Sequence, residues 1–153
     1  MIGVDGSEHS YKALLKAKDL QKLKKSEVIV FHSIEHYAEL TGGISYAPPY
    51  GIHQGNSVSN PELERIKETY EKTAQKIMNK AREIFLEVGI EVETRIVYDY
   101  DPVSYIKEMV KKEHVDLVII GSKGTHSLLT GILLGSVAEK VLRHVPCDIL
   151  IIR

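Results

Sequence analysis

At 153 residues the chain suits one domain spanning 1–153, because a core of this size buries about two-thirds of the surface that the unfolded chain exposes. Apolar residues at 43% and charged residues at 27% match a globular protein, and no apolar run is long enough for a membrane-spanning helix, so membrane insertion is set aside. With 20 Lys and Arg against 21 Asp and Glu the net charge is -1, which gathers no polyanion and excludes nucleic acid as the expected partner.

The opening MIGVDGSEHS has neither a basic stretch nor an apolar stretch of secretory type, and the expected compartment is the cytoplasm. MIGV reads as a short strand, and SEHSYKALLKAKDLQKL sets Tyr11, Leu14, Leu15 and Leu20 at helical spacing behind a Ser7 cap. EVIVFHSI follows as a strand whose unbroken apolar run suits a parallel sheet covered on both faces, ending near His32 and Ser33. From about 37 to 60 the chain turns rich in Gly, Ser, Pro and Tyr without periodicity, the pattern of a long loop that serves either as a lid or as a disordered insertion. Asn60 and Pro61 then start a helix carrying Leu63, Ile66, Tyr70, Ala74, Ile77, Ala81, Ile84 and Val88, with Gly89 as its stop.

IEVETRIVY is the third strand; Asp101 and Pro102 open a helix with Ile106, Met109 and Val110; VDLVIIG is the fourth strand. Ser136 and Glu139 stand three apart as a capping box for SVAEKVLRH, and CDILIIR is the fifth strand. The order βαβαβαβαβ predicts a doubly wound α/β fold, a five-stranded parallel sheet with helices on both faces. Ligands of such sheets sit beyond the carboxyl ends of the strands where the winding reverses, so DGS, HSIEHY, YDYD and GSKGTHS are the candidate loops.

The segment GSKGTHSLLTGILLGS, residues 121–136, carries four glycines after the fourth strand. Its amides can converge on an anion, completed by Gly135 and Ser136 at the start of the last helix and by the charge of Lys123. Equally, the glycines serve turns and Ser136 only caps, since neither G-x-x-x-x-G-K-[ST] nor G-x-G-x-x-G is present. Asp5 likewise either accepts from an adenine amino group or a ribose hydroxyl, or joins Ser7 in holding helix amides. His32 and His36 are the closest histidine pair, but no set has the spacing of a closed metal site. No Ser, His, Asp set can be assembled, and His126 is the best placed base, so no catalytic residue is assigned. The lone Cys147 reads as a small buried hydrophobe in a reducing compartment.

VDGSEHSYKAL at 4–14, GSKG at 121–124 and LLGSVAEKVLRHVPCDILII at 133–152 together resemble the universal stress protein family across essentially the whole chain. The resemblance implies strand order 3-2-1-4-5, the adenine nucleotide alpha hydrolase-like arrangement, with the reversal between strands one and four. It further implies an ATP-binding branch, in which Val4 and Asp5 meet the adenosine end, Ile120 and Gly121 the ribose, and Gly124, Gly135, Ser136 and Val137 the phosphates. The cofactor is then ATP, ADP or AMP, with Mg2+ held through the phosphates and hydrolysis at most slow. Two departures stand out: ten residues, not nine, separate Gly124 from Gly135, and Tyr100 stands where a glycine is frequent. Family chains also usually carry a few more residues before the first strand. Apolar Ile149 to Ile152 on an edge strand predict a homodimer across a two-fold axis. The expectation is a nucleotide-binding stress or signalling module acting on an unknown protein partner; the alternative is a stress protein of the same fold that binds no nucleotide and acts through protein partners.

Overall fold

The computed structural model describes residues 1–23, 25–35, 61–125 and 134–153. The expectations for 37–60, for Asn60 as a cap, for His36, for His126 and for Gly131 lie outside them. Strands β1 (Ile2–Gly3), β2 (Ile29–Ile34), β3 (Glu93–Tyr98), β4 (Leu117–Gly121) and β5 (Asp148–Ile152) form one parallel sheet in the order β3-β2-β1-β4-β5. Between them run helices α1 (Glu8–Leu23), α2 (Pro61–Leu86), α3 (Pro102–Lys112) and α4 (Ser136–His144). The predicted order of strands and the reversal between β1 and β4 are both present.

Alternation along each strand distributes its side chains between two cores. Ile2, Val30 and Ile119 pack against Ala13 and Leu14 of α1 and Met78, Ala81 and Phe85 of α2, whereas Phe31, Val118 and Ile120 pack against Ile106 of α3 and Val141 of α4. Neighbouring residues such as Val30 and Phe31 therefore enter opposite layers, which is why the strands read as continuous apolar runs rather than alternating ones. Among the described residues no helix is long and apolar enough to cross a membrane.

Local signals set most element ends. The Ser10 amide donates to Ser7 Oγ at 3.2 Å, so Ser7 caps α1, and the Ser104 amide donates to Asp101 Oδ2 at 2.8 Å, so Asp101 caps α3. Gly89 takes φ +70° past the end of α2, where its amide reaches Leu86 O and the next amide, of Ile90, reaches Phe85 O. The capping box predicted for α4 does not form. Its N-cap is Gly135, without a side-chain cap bond, while Glu139 pairs with Arg143 at 3.1 Å instead. Strands two and three also begin later than predicted, at Ile29 and Glu93, because the preceding residues lead in from helix to sheet without a regular ladder.

Candidate nucleotide site

A cavity of about 640 Å³ opens over the carboxyl ends of the central strands. Seven of the eight predicted site residues, Val4, Asp5, Ile120, Gly121, Gly124, Ser136 and Val137, line it. Gly135 stands just behind, as the N-cap of α4. The Gly135 amide donates to Ser122 O at 2.7 Å, and a Cβ on Gly135 would lie 3.7 Å from the Gly124 amide nitrogen. The ten-residue spacing therefore leaves both ends of the glycine segment together.

Asp5 spans the crevice. Its Oδ1 accepts the Ser7 amide at 3.0 Å and its Oδ2 accepts the Thr125 amide at 2.8 Å, so one carboxylate joins the loop after β1 to the loop after β4. Burial pushes the Asp5 carboxyl up, yet its hydrogen bonds with Ser7, Thr125 and Ser10 outweigh that and hold it below its ordinary value. Because the Ser7 hydroxyl donates to Lys123 O and the Ser10 hydroxyl to Ser7 O, we attribute the effect chiefly to the two amides. Gly124 is required by this strut, since a Cβ there would sit 2.6 Å from Asp5 Oδ2. Of the two readings of Asp5, the bond with the Ser7 amide is present, and the same carboxylate lines the cavity.

Gly121 owes its identity to packing. A Cβ at that position would lie 2.7 Å from the carbonyl carbon of His9 and 2.8 Å from the Ser10 amide nitrogen, so β4 approaches the backbone of α1 closely. One residue on, Ser122 is fully buried and its Oγ lies 2.7 Å from His9 Nδ1. Its amide donates to Ile152 O and its carbonyl accepts from Gly135, so Ser122 joins α1, β5 and the start of α4.

At the other side of the crevice, α4 begins without a side-chain cap. The amides of its first turn have no acceptor within the helix, and Ser136, Val137 and Ala138, which carry them, line the cavity. With the helix dipole behind them they suit an anion, and Lys123 lines the same cavity. Among the described residues no group of three or more His, Cys, Asp and Glu could hold a metal ion.

The remaining walls come from residues outside the predicted nucleotide set. Phe31, His32 and Ser33 come from the end of β2, Tyr70 and Thr73 from α2, and Ile106 from α3. HSIEHY was among the candidate loops, because β2 adjoins β1, but nothing in the spacing of α2 marks Tyr70 and Thr73 as facing a cavity rather than solvent. Tyr100 is not a wall: its hydroxyl donates to Glu108, and its carbonyl accepts the Ser33 hydroxyl.

Comparison with known proteins gives this geometry its setting. Residues 1–153 match the family described as the Universal stress protein family. The universal stress protein YxiE of Bacillus subtilis is 32% identical over 157 aligned residues, covering 100% of this chain and 97% of its own. Universal stress protein A homolog 2 of Coxiella burnetii is 33% identical over 138, covering 90% and 82%. Among solved structures, UspA from Lactobacillus plantarum superposes with a TM-score of 0.75 at 20% identity, covering 99% of this chain and 96% of its own. A universal stress protein from Archaeoglobus fulgidus in complex with dAMP gives 0.64 at 18% identity, covering 99% and 94%. One in complex with cAMP gives 0.63 at 22%, covering 99% and 93%. The shared sheet order, the match over the whole length and relatives above 30% identity lead to one conclusion: this chain belongs to the universal stress protein family.

Proposed function

We propose that this universal stress protein binds an adenine nucleotide, ATP in its fullest form, as a signal that governs its contacts with a partner protein. The carrying observation is the uncapped first turn of α4 opening, beside Gly124 and Lys123, into a cavity that runs past Asp5, which lies against Gly124, to the end of β2. One end of that space offers amides and positive charge, the other the apolar and aromatic walls of Phe31, Tyr70 and Ile106, with the Asp5 carboxylate between them, an arrangement that suits a nucleotide from phosphate to base. The dAMP and cAMP complexes of proteins with the same fold support this reading. In it, the amides of Gly124, Ser136 and Val137 hold the phosphates, Ile120 and Gly121 border the ribose, and Val4 and Asp5 face the adenosine. A Mg2+ ion would be held chiefly by phosphate oxygens.

We further propose a homodimer through β5. Both rims of the sheet are strands with one open side, but β3 carries Glu93 and Arg95, the latter tied to Glu93 at 2.7 Å and to Glu113 at 2.7 Å, and such charges discourage strand addition. β5 offers Ile149 and Ile151. Since the Asp148 amide donates to Asp116 O and Ile152 O accepts from Ser122, the alternate residues Ile149 and Ile151 turn their backbone groups outward.

Nucleotide released from freshly purified, denatured protein, identified by its ultraviolet spectrum and chromatography, tests the first proposal. Adenine absorbance is the expected result. Failing that, titration calorimetry with ATP and Mg2+ must give heat; silence at millimolar ligand overturns nucleotide binding and leaves the partner-binding alternative. Equal affinity for ATP, AMP and adenosine would remove the phosphate role of α4.

A further inference from the structure

We propose that His32 selects the base of the nucleotide, its Nε2 accepting a hydrogen bond from an exocyclic amino group; this rests on the nucleotide reading above. His32 Nδ1 lies 2.8 Å from Val4 O. A carbonyl oxygen only accepts, so Nδ1 carries the proton, the ring is fixed against β1, and in the neutral imidazole Nε2 is a bare acceptor. Among the described residues Nε2 has no hydrogen-bond partner. It is also not sealed off, because no buried side-chain nitrogen or oxygen among them lacks a partner, and His32 lines the cavity.

The neighbouring polar groups are already engaged. Each Asp5 oxygen holds a backbone amide, the Ser33 hydroxyl donates to Tyr100 O, the Thr73 hydroxyl donates to Thr69 O at 2.8 Å, and the Ser10 hydroxyl donates to Ser7 O at 2.9 Å. The hydroxyls keep acceptor lone pairs and the Glu35 carboxylate also lines the cavity, so the imidazole is set apart by its fixed ring and bare Nε2 rather than by being the sole acceptor. Its place along the ligand follows from the sheet order: β2 is two strands from β4, about 9 to 10 Å, which sets the base at β2 when the phosphates are at β4 and α4. Phe31 and Tyr70 supply aromatic surface beside it.

An adenine 6-amino group donates to Nε2, whereas the 6-oxo group of hypoxanthine sets acceptor against acceptor. A site built to pair with a donor rejects the analogue without it. By calorimetry on the full chain, AMP should bind about tenfold or more tighter than IMP, one charge-free hydrogen bond plus the repulsion avoided. His32→Phe should bring the AMP to IMP ratio close to one by weakening AMP and leaving IMP unchanged, with the dAMP to AMP ratio unaltered. Should that variant fail to fold, 15N imidazole spectra of the wild-type chain serve instead: the Nε2 resonance should move on adding AMP and not on adding IMP. A wild-type ratio near one, a ratio that survives in His32→Phe, a change in sugar selectivity instead, or an Nε2 resonance unmoved by AMP overturns the proposal while nucleotide binding stands. Binding of neither nucleotide overturns the nucleotide reading itself.

Discussion

Asp5 and Gly121 carry different kinds of constraint within the same crevice. Asp5 is a charged strut between two loops, so Asp5→Ala strands the Ser7 and Thr125 amides and should cost about 1 to 3 kcal/mol in urea unfolding, besides weakening adenosine binding. Its pH dependence has a definite sign. The folded carboxyl titrates below its ordinary 3.8, so its contribution is complete above about pH 5 and fades as pH falls through 3.8 toward the lower folded value. Unfolding of wild type and Asp5→Ala compared from pH 7 to 3 should show their gap closing only in that acid range; a gap constant across it would refute the strut. Gly121 is a matter of contact. Gly121→Ala drives a Cβ into the backbone of α1 and should destabilise by about 1 to 3 kcal/mol, whereas Gly135→Ala, whose nearest neighbour is Ser122 O at 3.5 Å, should cost much less. The sequence marked both glycines as site residues and could not separate these roles, because the clash involves His9 and Ser10, more than a hundred residues away.

The helices divide by how their first turns are satisfied. α1 and α3 are capped by Ser7 and Asp101, and Asp101→Ala should lower stability by about 1 kcal/mol. α4 differs, since Gly135 offers no side chain and Ser136 stands inside the helix rather than before it. Ser136→Ala should therefore leave thermal unfolding nearly unchanged and, because the amide is retained, ATP affinity little changed; a loss of stability near 1 kcal/mol would mean that Ser136 is a cap after all. Ser, then Glu three residues later, is a sound local signal for a capping box. Here the Gly135 amide is drawn to Ser122 O, which moves the helix start one residue and leaves the first-turn amides to the cavity.

At the scale of the molecule the open rim of β5 decides assembly. Ile149 and Ile151 also pack into the α3 and α4 layer, so a lysine at Ile151 would test the core as well as the edge. Ile151→Pro is the sharper change: it keeps an apolar side chain and removes one outward amide, a place where an edge strand tolerates proline. Sedimentation should show monomer with an unchanged far-ultraviolet spectrum; a persistent dimer would exclude pairing through β5.

The order of elements, the two-faced burial of the strands and the caps of α1 and α3 were legible in the sequence, because each depends on neighbours within a few residues. So was the crevice between β1 and β4, which follows from alternation and the family's strand order. Tertiary structure alone decided that Asp5 reaches Thr125, that Gly121 yields to α1, that Gly124 and Gly135 meet across ten residues, and that α2 brings Tyr70 and Thr73 to the cavity. It likewise turned His32 from the end of a strand into a ring held by Val4. Each of these joins positions far apart in the chain, and local periodicity has no term for the packing that brings them together.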